Sequence, residues 1–595
     1  LLRRPRGPRN PGEFDLPAFL RREGLSAEFD AAAALGDVQL LERDQGHAVV
    51  AAALAARDWI GTSVTRGLEH DPDIAATVRA MVLGTREKTP AAVEEAFVAS
   101  GTMHIFAVSG LHVAMFCGIV FWLLRRTPLS YGWILAVTLP LVFFYVFITG
   151  LRPSAWRAAL MCAVFLCAPL LDRESQMYNG LGAAALLLLA WNTQQLFQPG
   201  FTLSFGVLLA IAVMLPWFRA LFRRWSEPDP FLPRQLYTRR QEWTFRGRGY
   251  VMDSVALSMA STVGSAPLMI HYFSMVTPVG IVANIFLVLL SNVILILACA
   301  CLMATGAGLG LLALAANKLN WVLASLSIKM AQFFAAVPGG HLNVHPSQLW
   351  RGEVCEITVL ELDRGGGCVH LHTPGGNHWL LDAGGLRHYL RTVRPHLTRS
   401  PVTHRLDGLL LSHSDSTHSG AVEEVRRSFR PRTEPLLHAG DELVLEPGVK
   451  IRCLFPPPGW HTAAADDRCA VHLLTCHELR VLFMNDAGFI TEKALLESGE
   501  DLRADVLVKG RHRSDFCGLP EFINSVRPQA IVFSNAAFPV EETAPQDWKE
   551  MLAHKQLPYF DQARTGAVII RREPDATTTV RGFVNGQTQP LKPPL

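Results

Sequence analysis

The chain contains no C-x-x-C pair, although it holds 11 cysteines. Structural zinc of the ribbon or finger kind is excluded on that ground, and the redox compartment stays open. Cys117, Cys162, Cys167, Cys299 and Cys301 fall in apolar sequence, where a thiol acts as a small hydrophobe. Charge is scarce too. Only 18% of the 595 residues are Asp, Glu, Lys or Arg, against about 25% in an ordinary globular chain. A net charge of +3 is too small for any argument except a local one. No internal repeat is visible, which excludes a solenoid. What is abundant is apolar: 50% of residues are hydrophobic and mean hydropathy is +0.22. Disorder, collagen and a small disulfide scaffold are therefore excluded.

The apolar residues are concentrated. Residues 103–124, 127–151, 158–171, 175–218 and 254–317 contain no Asp, Glu, Lys or Arg. One membrane crossing takes about 20 apolar residues, so the longest runs must fold back at least once. Pro199-Gly200 and Pro278 with Gly280 supply the breaks. This pattern predicts about eight spans, some short or discontinuous, before an amphipathic segment at 321–337 lying flat. The segment 219–248 carries Arg219, Arg223, Arg224, Arg234, Arg239, Arg240, Arg246 and Arg248 and reads as a cytoplasmic loop. Arg152 and Arg157 then fall outside, against the rule. The side of the C-terminal region rests on the span count.

Four regions result. Residues 1–100 are mixed and partly helical. The chain opens on Leu rather than Met, and LLRRPRGPRNPGEFD reads as a linker cut from something longer, so a truncated N-terminus is expected. Residues 101–340 form the membrane region. Residues 345–573 alternate short β-type runs (EITVLELD, CVHLHT, HWLLDAG, LDGLLLSHS, RVLFMND, ADVLVKG) with loops and helices, which predicts a layered α/β sandwich. Residues 574–595 read as a disordered tail. The expected fold class is a polytopic α-helical membrane domain followed by an αββα sandwich.

Within the sandwich, His413, Asp415 and His418 lie in SHSDSTHSGA, directly after the apolar strand LDGLLL. Imidazole and carboxylate donors at i, i+2 and i+5 on a strand-to-helix loop can converge on one divalent ion. Asp382, Asp486 and His512 also sit at or just past strand ends. The candidate ligands are His413, Asp415, His418, Asp486 and His512, with Asp415 and Asp486 as catalytic carboxylates. This arrangement resembles the metallo-β-lactamase fold over residues 350–572, with its H-x-[HD]-x-D-H loop and LLDAG turn. The resemblance implies one or two zinc or manganese ions and hydrolysis of esters, amides or phosphodiesters. The chain departs from that pattern: Thr417 replaces the Asp before the last His, Ala421 a Gly, and Arg511 and Arg513 flank His512 where HHGS is usual. Cys368 stands where related domains have Asp. Guanidinium is never a metal ligand and a hydroxyl is a weak one, so ligand loss favours a decayed site. The cofactor expectation is one divalent ion or none. An active single-metal hydrolase is the other reading.

In the membrane region, GTMHIFAVSGLHVAMF, TGLRPSAWRAALM, FTLSFGVLLAI and HYFSMVTPVGIVANIF place His104, Ser109, His112, Arg157, Ser204, His271 and Asn284 in apolar sequence. Polar side chains there are expensive unless they face partner helices or a cavity. For Arg157, snorkelling to headgroups is the plain alternative. These segments resemble the competence domain of ComEC-type DNA-internalisation proteins, in which a membrane channel precedes a metallo-β-lactamase-like domain. NPGEFD-x-x-AFLRREGL resembles the stretch after that family's N-terminal OB-like domain. The resemblance implies an inner-membrane, multi-pass channel for single-stranded DNA. Its expected partners are the lipid bilayer, a DNA receptor, a cytoplasmic DNA translocase and further copies of itself. A membrane-anchored metal-dependent phosphodiesterase or nuclease without transport, and a small-molecule transporter with an inert accessory domain, are the rivals.

Overall fold

The structure is a computed structural model and describes residues 2–22, 24–29, 47–85, 89–106, 110–173, 176–226, 238–344, 354–399, 405–460, 462, 466–510, 518–535 and 543–592. The chain divides into two compact units, one of residues 31–342 and one of residues 1–30 with 343–595.

The first unit is helical: α1 (Ala48–Thr65), α2 (Pro72–Leu83), α3 (Ala91–Ala99), α4 (Gly110–Leu124), α5 (Tyr131–Ile148), α6 (Pro153–Cys167), α7 (Met177–Trp191), α8 (Pro199–Ser226), α9 (Arg239–Phe273), α10 (Gly280–Gly306) and α11 (Gly310–Ala335). Helix ends follow the local chemistry. Pro72 opens α2 and Gly84 closes it at φ 70°, the left-handed geometry that glycine adopts without a Cβ penalty. A Thr238–Gln241 capping box starts α9. The predicted breaks at Pro199 and Gly280 are helix starts.

Among the described residues, five helices are long and apolar enough to cross a membrane, and two shorter apolar ones span His112–Leu124 and Met177–Trp191. The expectation of about eight spans was higher. The difference arises partly because the run 254–317 divides differently: its first third is the end of the long α9, which also carries a charged start. Large apolar side chains such as Trp133, Leu186, Trp191 and Phe333 stand exposed on these helices, as a hydrocarbon solvent permits and water does not. Segment 321–337 is not separate; it is mostly the second half of α11. One face of α11 is buried from Ala313 to Phe334, packing in a core with Val64, Met81, Phe97 and Leu287. Asn317 Nδ2 donates to the Ser63 and Arg66 carbonyls at 2.8 and 3.0 Å, and Trp321 Nε1 donates to Asp71 at 2.7 Å. The arginine-rich stretch is likewise no simple loop. Arg219, Arg223 and Arg224 end α8, while Arg239, Arg240, Arg246 and Arg248 begin α9; Arg234 lies outside the described residues.

The second unit holds β1 (Cys355–Val359), β2 (Val369–His372), β3 (His378–Leu381), β4 (Gly408–Leu410), β5 (Glu442–Glu446), β6 (Val449–Phe455), β7 (Val471–Cys476), β8 (Leu479–Asn485), β9 (Val506–Lys509), β10 (Ala530–Phe533), β11 (Tyr559–Asp561), β12 (Val568–Arg572), β13 (Thr578–Gly582) and β14 (Thr588–Leu591). They form two seven-stranded sheets, ordered β14-β13-β12-β1-β2-β3-β4 and β11-β10-β9-β8-β7-β6-β5. Ile357, Leu371, Val481, Val508 and Val568 fill the layer between them. Outside the first sheet lie α12 (Arg394–Arg399) and α13 (Val422–Phe429), packed on Leu380 and Leu409. Outside the second lie α14 (Phe489–Glu497), α15 (Pro520–Val526) and α16 (Gln546–His554), packed on Leu482 and Ile531. The layers are αββα, as the strand pattern implied.

Two boundaries differ from the sequence expectation. Residues 574–595 are not a featureless tail, because β13 and β14 extend the first sheet. The signal was the β-branched TTTV stretch, whose Thr578 and Val580 are buried with a partly buried residue between them. Residues 6–13 belong to the sandwich as well. Arg6 and Arg9 bridge Glu361 at 2.7 and 2.8 Å, and buried Asn10 exchanges hydrogen bonds with the Glu361 backbone at 2.8 and 2.7 Å.

His472 on β7 generates a test. Burial pushes its imidazole down to about 4, so the folded state favours the neutral ring. Its contribution to stability is present above the unfolded value of about 6.5 and is lost as pH falls toward 4, up to about 3 kcal/mol. Protection factors of the β7 amides, corrected for the pH dependence of intrinsic exchange, should therefore fall between about pH 6.5 and 4. His472→Gln should flatten that dependence; an unchanged profile in the variant would refute the assignment.

Candidate metal centre

The loop after β4 is where the chemistry collects. Asp382, just past β3, accepts from the Ser412 backbone N–H at 2.7 Å and from the Ser412 hydroxyl at 2.6 Å. Its second oxygen also holds His418 Nδ1 at 2.8 Å, and His418 Nε2 meets Asp486 at 2.9 Å, just past β8. Buried His418 is thus suspended between two carboxylates. Burial alone would lower its pKa, but Asp486 and Asp382 outweigh that and hold it well above the ordinary imidazole value. Burial pulls the Asp382 carboxyl up, and the His418 charge and the Ser412 hydrogen bonds bring it below its usual value.

His413 completes the group. Its Nδ1 lies 2.9 Å from the Ser412 hydroxyl, and its Nε2 is buried without a hydrogen-bond partner. Burial lowers its pKa, with the neighbouring His418 adding to the effect. Ligand atoms of His413, His418 and Asp486 all lie within 4.8 Å of one another. Two nitrogens and one oxygen, one nitrogen with nothing else to bind, fit a single zinc or manganese ion. Asp382 on the far nitrogen of His418 is the hydrogen bond that orients a metal-binding imidazole.

Asp415 does not join that group. One oxygen accepts from the Ser416 backbone N–H at 2.7 Å and the other from the Thr417 hydroxyl at 2.6 Å. The Thr417 hydrogen bond leads in holding its carboxyl below the usual range. Thr417 therefore removes a possible ligand of its own and also engages the one beside it. His512, with Arg511 and Arg513, lies outside the described residues.

The sequence marks Asp382 only as a strand end and gives no sign that glycines and a buried ion pair support the site. A Cβ on Gly367 would sit 2.5 Å from the His418 ring, and one on Gly510 would collide with Asp486. Lys509 and Glu492, both fully buried, pair at 2.6 Å. Lys509 also donates to the Ala487 carbonyl at 2.8 Å, while Glu492 accepts from the backbone of Gly518 and Leu519 at 3.2 and 2.7 Å. This pair ties the chain after Asp486 to both sides of segment 511–517. GGGC and VLVKG were the available signals, but neither glycine nor lysine announces such a role in one sequence.

In the helical unit, His112 is buried and bonds the Met81 backbone, and His104 sits on the turn Met103–Ile105. Arg157 and Ser204 meet directly. His271 is on an exposed face of α9, Asn284 lies in the first turns of α10, and no hydrogen bond among the described residues joins either to the others. Ser109 lies outside the described residues.

A metal must displace the His418 proton before Nε2 can ligate it. Zinc affinity should rise about tenfold per pH unit while one proton is displaced. Calorimetry of the full chain in two buffers of different ionisation enthalpy should show proton release. Affinity that is flat between about pH 6 and 8 would contradict the charged His418.

Residues 81–360 match the competence protein family. The chain is 25% identical over 525 residues to competence protein ComA of Neisseria gonorrhoeae, covering 81% of this chain and 72% of that one. It is 23% identical over 556 residues to ComE operon protein 3 of Bacillus subtilis (strain 168), covering 78% and 67%. Solved structures similar to it include Igni18, a metallo hydrolase of Ignicoccus hospitalis, at 14% identity and TM-score 0.27, covering 36% of this chain and 98% of that one. Another is MEM-A1, a subclass B3 metallo-β-lactamase from a soil metagenome library, at 13% identity and TM-score 0.21, covering 27% and 76%. With the competence-type segment and two relatives that each match more than three quarters of it, the chain is similar to the ComEC-type competence proteins.

Proposed function

We propose that the protein carries single-stranded DNA across the inner membrane during natural transformation, as a multi-pass channel with a weak or inactive nuclease domain. The observation that carries this reading is the competence-type segment 81–360, which includes the five apolar helices and precedes the bulk of the αββα unit in one chain. A strand bearing one negative charge per nucleotide needs cations and stacking surfaces along its route. The end of α8 and the start of α9 offer both, with seven arginines and the exposed Trp217, Trp225 and Trp243. Arg219 is paired with Asp253 at 2.9 Å and Arg246 with Glu242 at 2.6 Å, so part of this charge is already offset. A DNA receptor and a cytoplasmic translocase are the partners this reading requires.

In the soluble unit, His413, His418 and Asp486 would hold one divalent ion, which when bound polarises a phosphoryl oxygen and activates water. Asp382 keeps His418 oriented for that ion. A second ion would need the carboxylate that Thr417 replaces and an Asp415 freed from its hydrogen bonds, which argues against a two-ion clamp on the scissile phosphate. A membrane-anchored hydrolase without transport is the second reading, favoured by the convergence of three ligand atoms.

Fluorescent DNA entry into cells with and without the chain separates these readings. Loss of entry supports the channel; unchanged entry with metal-dependent cleavage by the purified chain supports the hydrolase. For the nuclease site the full chain is the right material, since a fragment of residues 345–573 would lack β13, β14 and the Arg9–Glu361 contact. Metal analysis should find no more than one ion per chain and cleavage should be slow. Thr417→Asp should release Asp415 and raise both. Two tight ions with rapid cleavage in the unmodified protein would overturn the degenerate-site reading.

A further inference from the structure

Arg157 lies near the start of α6, a helix apolar enough to cross a membrane, and its snorkelling to the surface was the plain expectation. The structure turns it inward: the residue is 3% exposed. Nε and Nη2 both donate to the Ser204 hydroxyl on α8, at 3.2 and 3.0 Å. Nη1 is buried with no hydrogen-bond partner. The guanidinium lies against the first turn of α8, where a Cβ on Gly200 would sit 3.3 Å from Nη1 and 3.4 Å from Nη2.

Every feature of this corner calls for negative charge. A guanidinium stays protonated at any physiological pH and has no acceptor. Ser204 supplies one neutral oxygen, which satisfies two donors and offsets no charge. Residues 127–151, 153–171 and 175–218 contain no Asp or Glu at all, and Asp172 lies beyond the far end of α6. The N-terminal end of α8 adds partial positive charge on the same side. Together these make the geometry of an anion site, with a buried donor left over and a glycine that keeps the approach open.

We propose that Arg157, Ser204 and the Gly200 turn of α8 form a binding site for a phosphodiester of the nucleic-acid backbone, at the contact of α6 and α8. This rests on the DNA-uptake reading above and deepens it by naming where one backbone phosphate is held. A lipid headgroup carries the same phosphodiester. The nucleic acid is favoured because the guanidinium is buried at the contact of two helices and bonded to Ser204 rather than extended to an exposed position.

The test uses the full chain in nanodiscs and two labelled single-stranded oligonucleotides of one sequence, one with phosphodiester and one with uncharged methylphosphonate linkages. Arg157→Gln should weaken phosphodiester binding about tenfold or more, with Arg157→Lys intermediate and methylphosphonate binding unchanged. Should Arg157→Gln fail to accumulate, Gly200→Ala crowds the guanidinium without removing it and should weaken the same arm. Unchanged phosphodiester affinity in Gly200→Ala and in any Arg157 variant that folds would overturn the site. So would loss of co-purifying phospholipid with oligonucleotide affinity retained, which would assign the corner to lipid. Transformation separates failure of the site from failure of the uptake reading. If deleting the chain abolishes transformation and Arg157→Gln does not lower it, the uptake reading stands and the site falls. If deletion changes nothing, the uptake reading falls, and the binding arm still decides whether the site holds a nucleic-acid phosphate.

Discussion

A charge taken out of water must be met by an opposite charge or by enough hydrogen bonds, and this single constraint organises the structure wherever it is most specific. The sandwich meets it twice by pairing. His418 is held between Asp382 and Asp486, and Lys509 is closed off against Glu492. Removing one partner of such a buried pair costs about 3–5 kcal/mol, because the other charge is left stranded. Such pairs therefore fix geometry more than they add net stability. Here they fix the two places where the strands β8 and β9 hand over to the loops around the candidate metal centre.

Close approach is the second requirement, and it explains the small residues at the same spots. His418 can lie over the loop after β1 only because Gly367 has no Cβ, and Asp486 can close beside β9 only because Gly510 has none. A methyl at either position would push an oriented donor away from its partner. Thr417 works in the opposite sense. Its hydroxyl is small enough to turn onto Asp415 and spends that carboxylate on a local turn. A single side chain thus converts a potential ligand pair into a capped helical turn, leaving His413, His418 and Asp486 as the convergent set.

Much of this could be read from the sequence because its signals are local. Charge-free runs announce apolar helices, Pro199 and Gly280 announce their starts, and alternating apolar strands announce two sheets. The loop SHSDSTHSGA announced the ligands, and His413 and His418 do converge with Asp486. What stayed hidden depends on long-range contact. Nothing in GEFD or RNPG says that Asn10 will be buried against Glu361, more than three hundred residues away. The β-branched TTTV stretch hints at one strand, but nothing local says that it will pair with β12 or that the half-polar TQPL will follow as an edge strand. The arginine count between residues 219 and 248 predicted a loop because it measures charge, whereas helix length is set by capping and by packing along α8 and α9.

The same constraint bears on how each unit can meet a polyanion. In the helical unit, Arg157 has no carboxylate partner among the described residues, so its charge is left to attract a phosphate. The candidate metal centre is the reverse: Asp382 and Asp486 flank one charged imidazole, Asp415 lies on the same loop, and a phosphodiester approaching it without a metal meets carboxylates. A divalent ion held by His413, His418 and Asp486 would displace the His418 proton and bring two positive charges in its place. The gain is only one charge. Against three carboxylates, that gain still leaves one negative charge unopposed, so it eases the approach of a phosphate without making the pocket cationic. Metal dependence in this domain should therefore appear first in nucleic-acid binding and only then in cleavage. Phosphodiester affinity of the full chain that Asp486→Asn or chelation lowers, with the Arg157-dependent component intact, is the outcome this ordering expects.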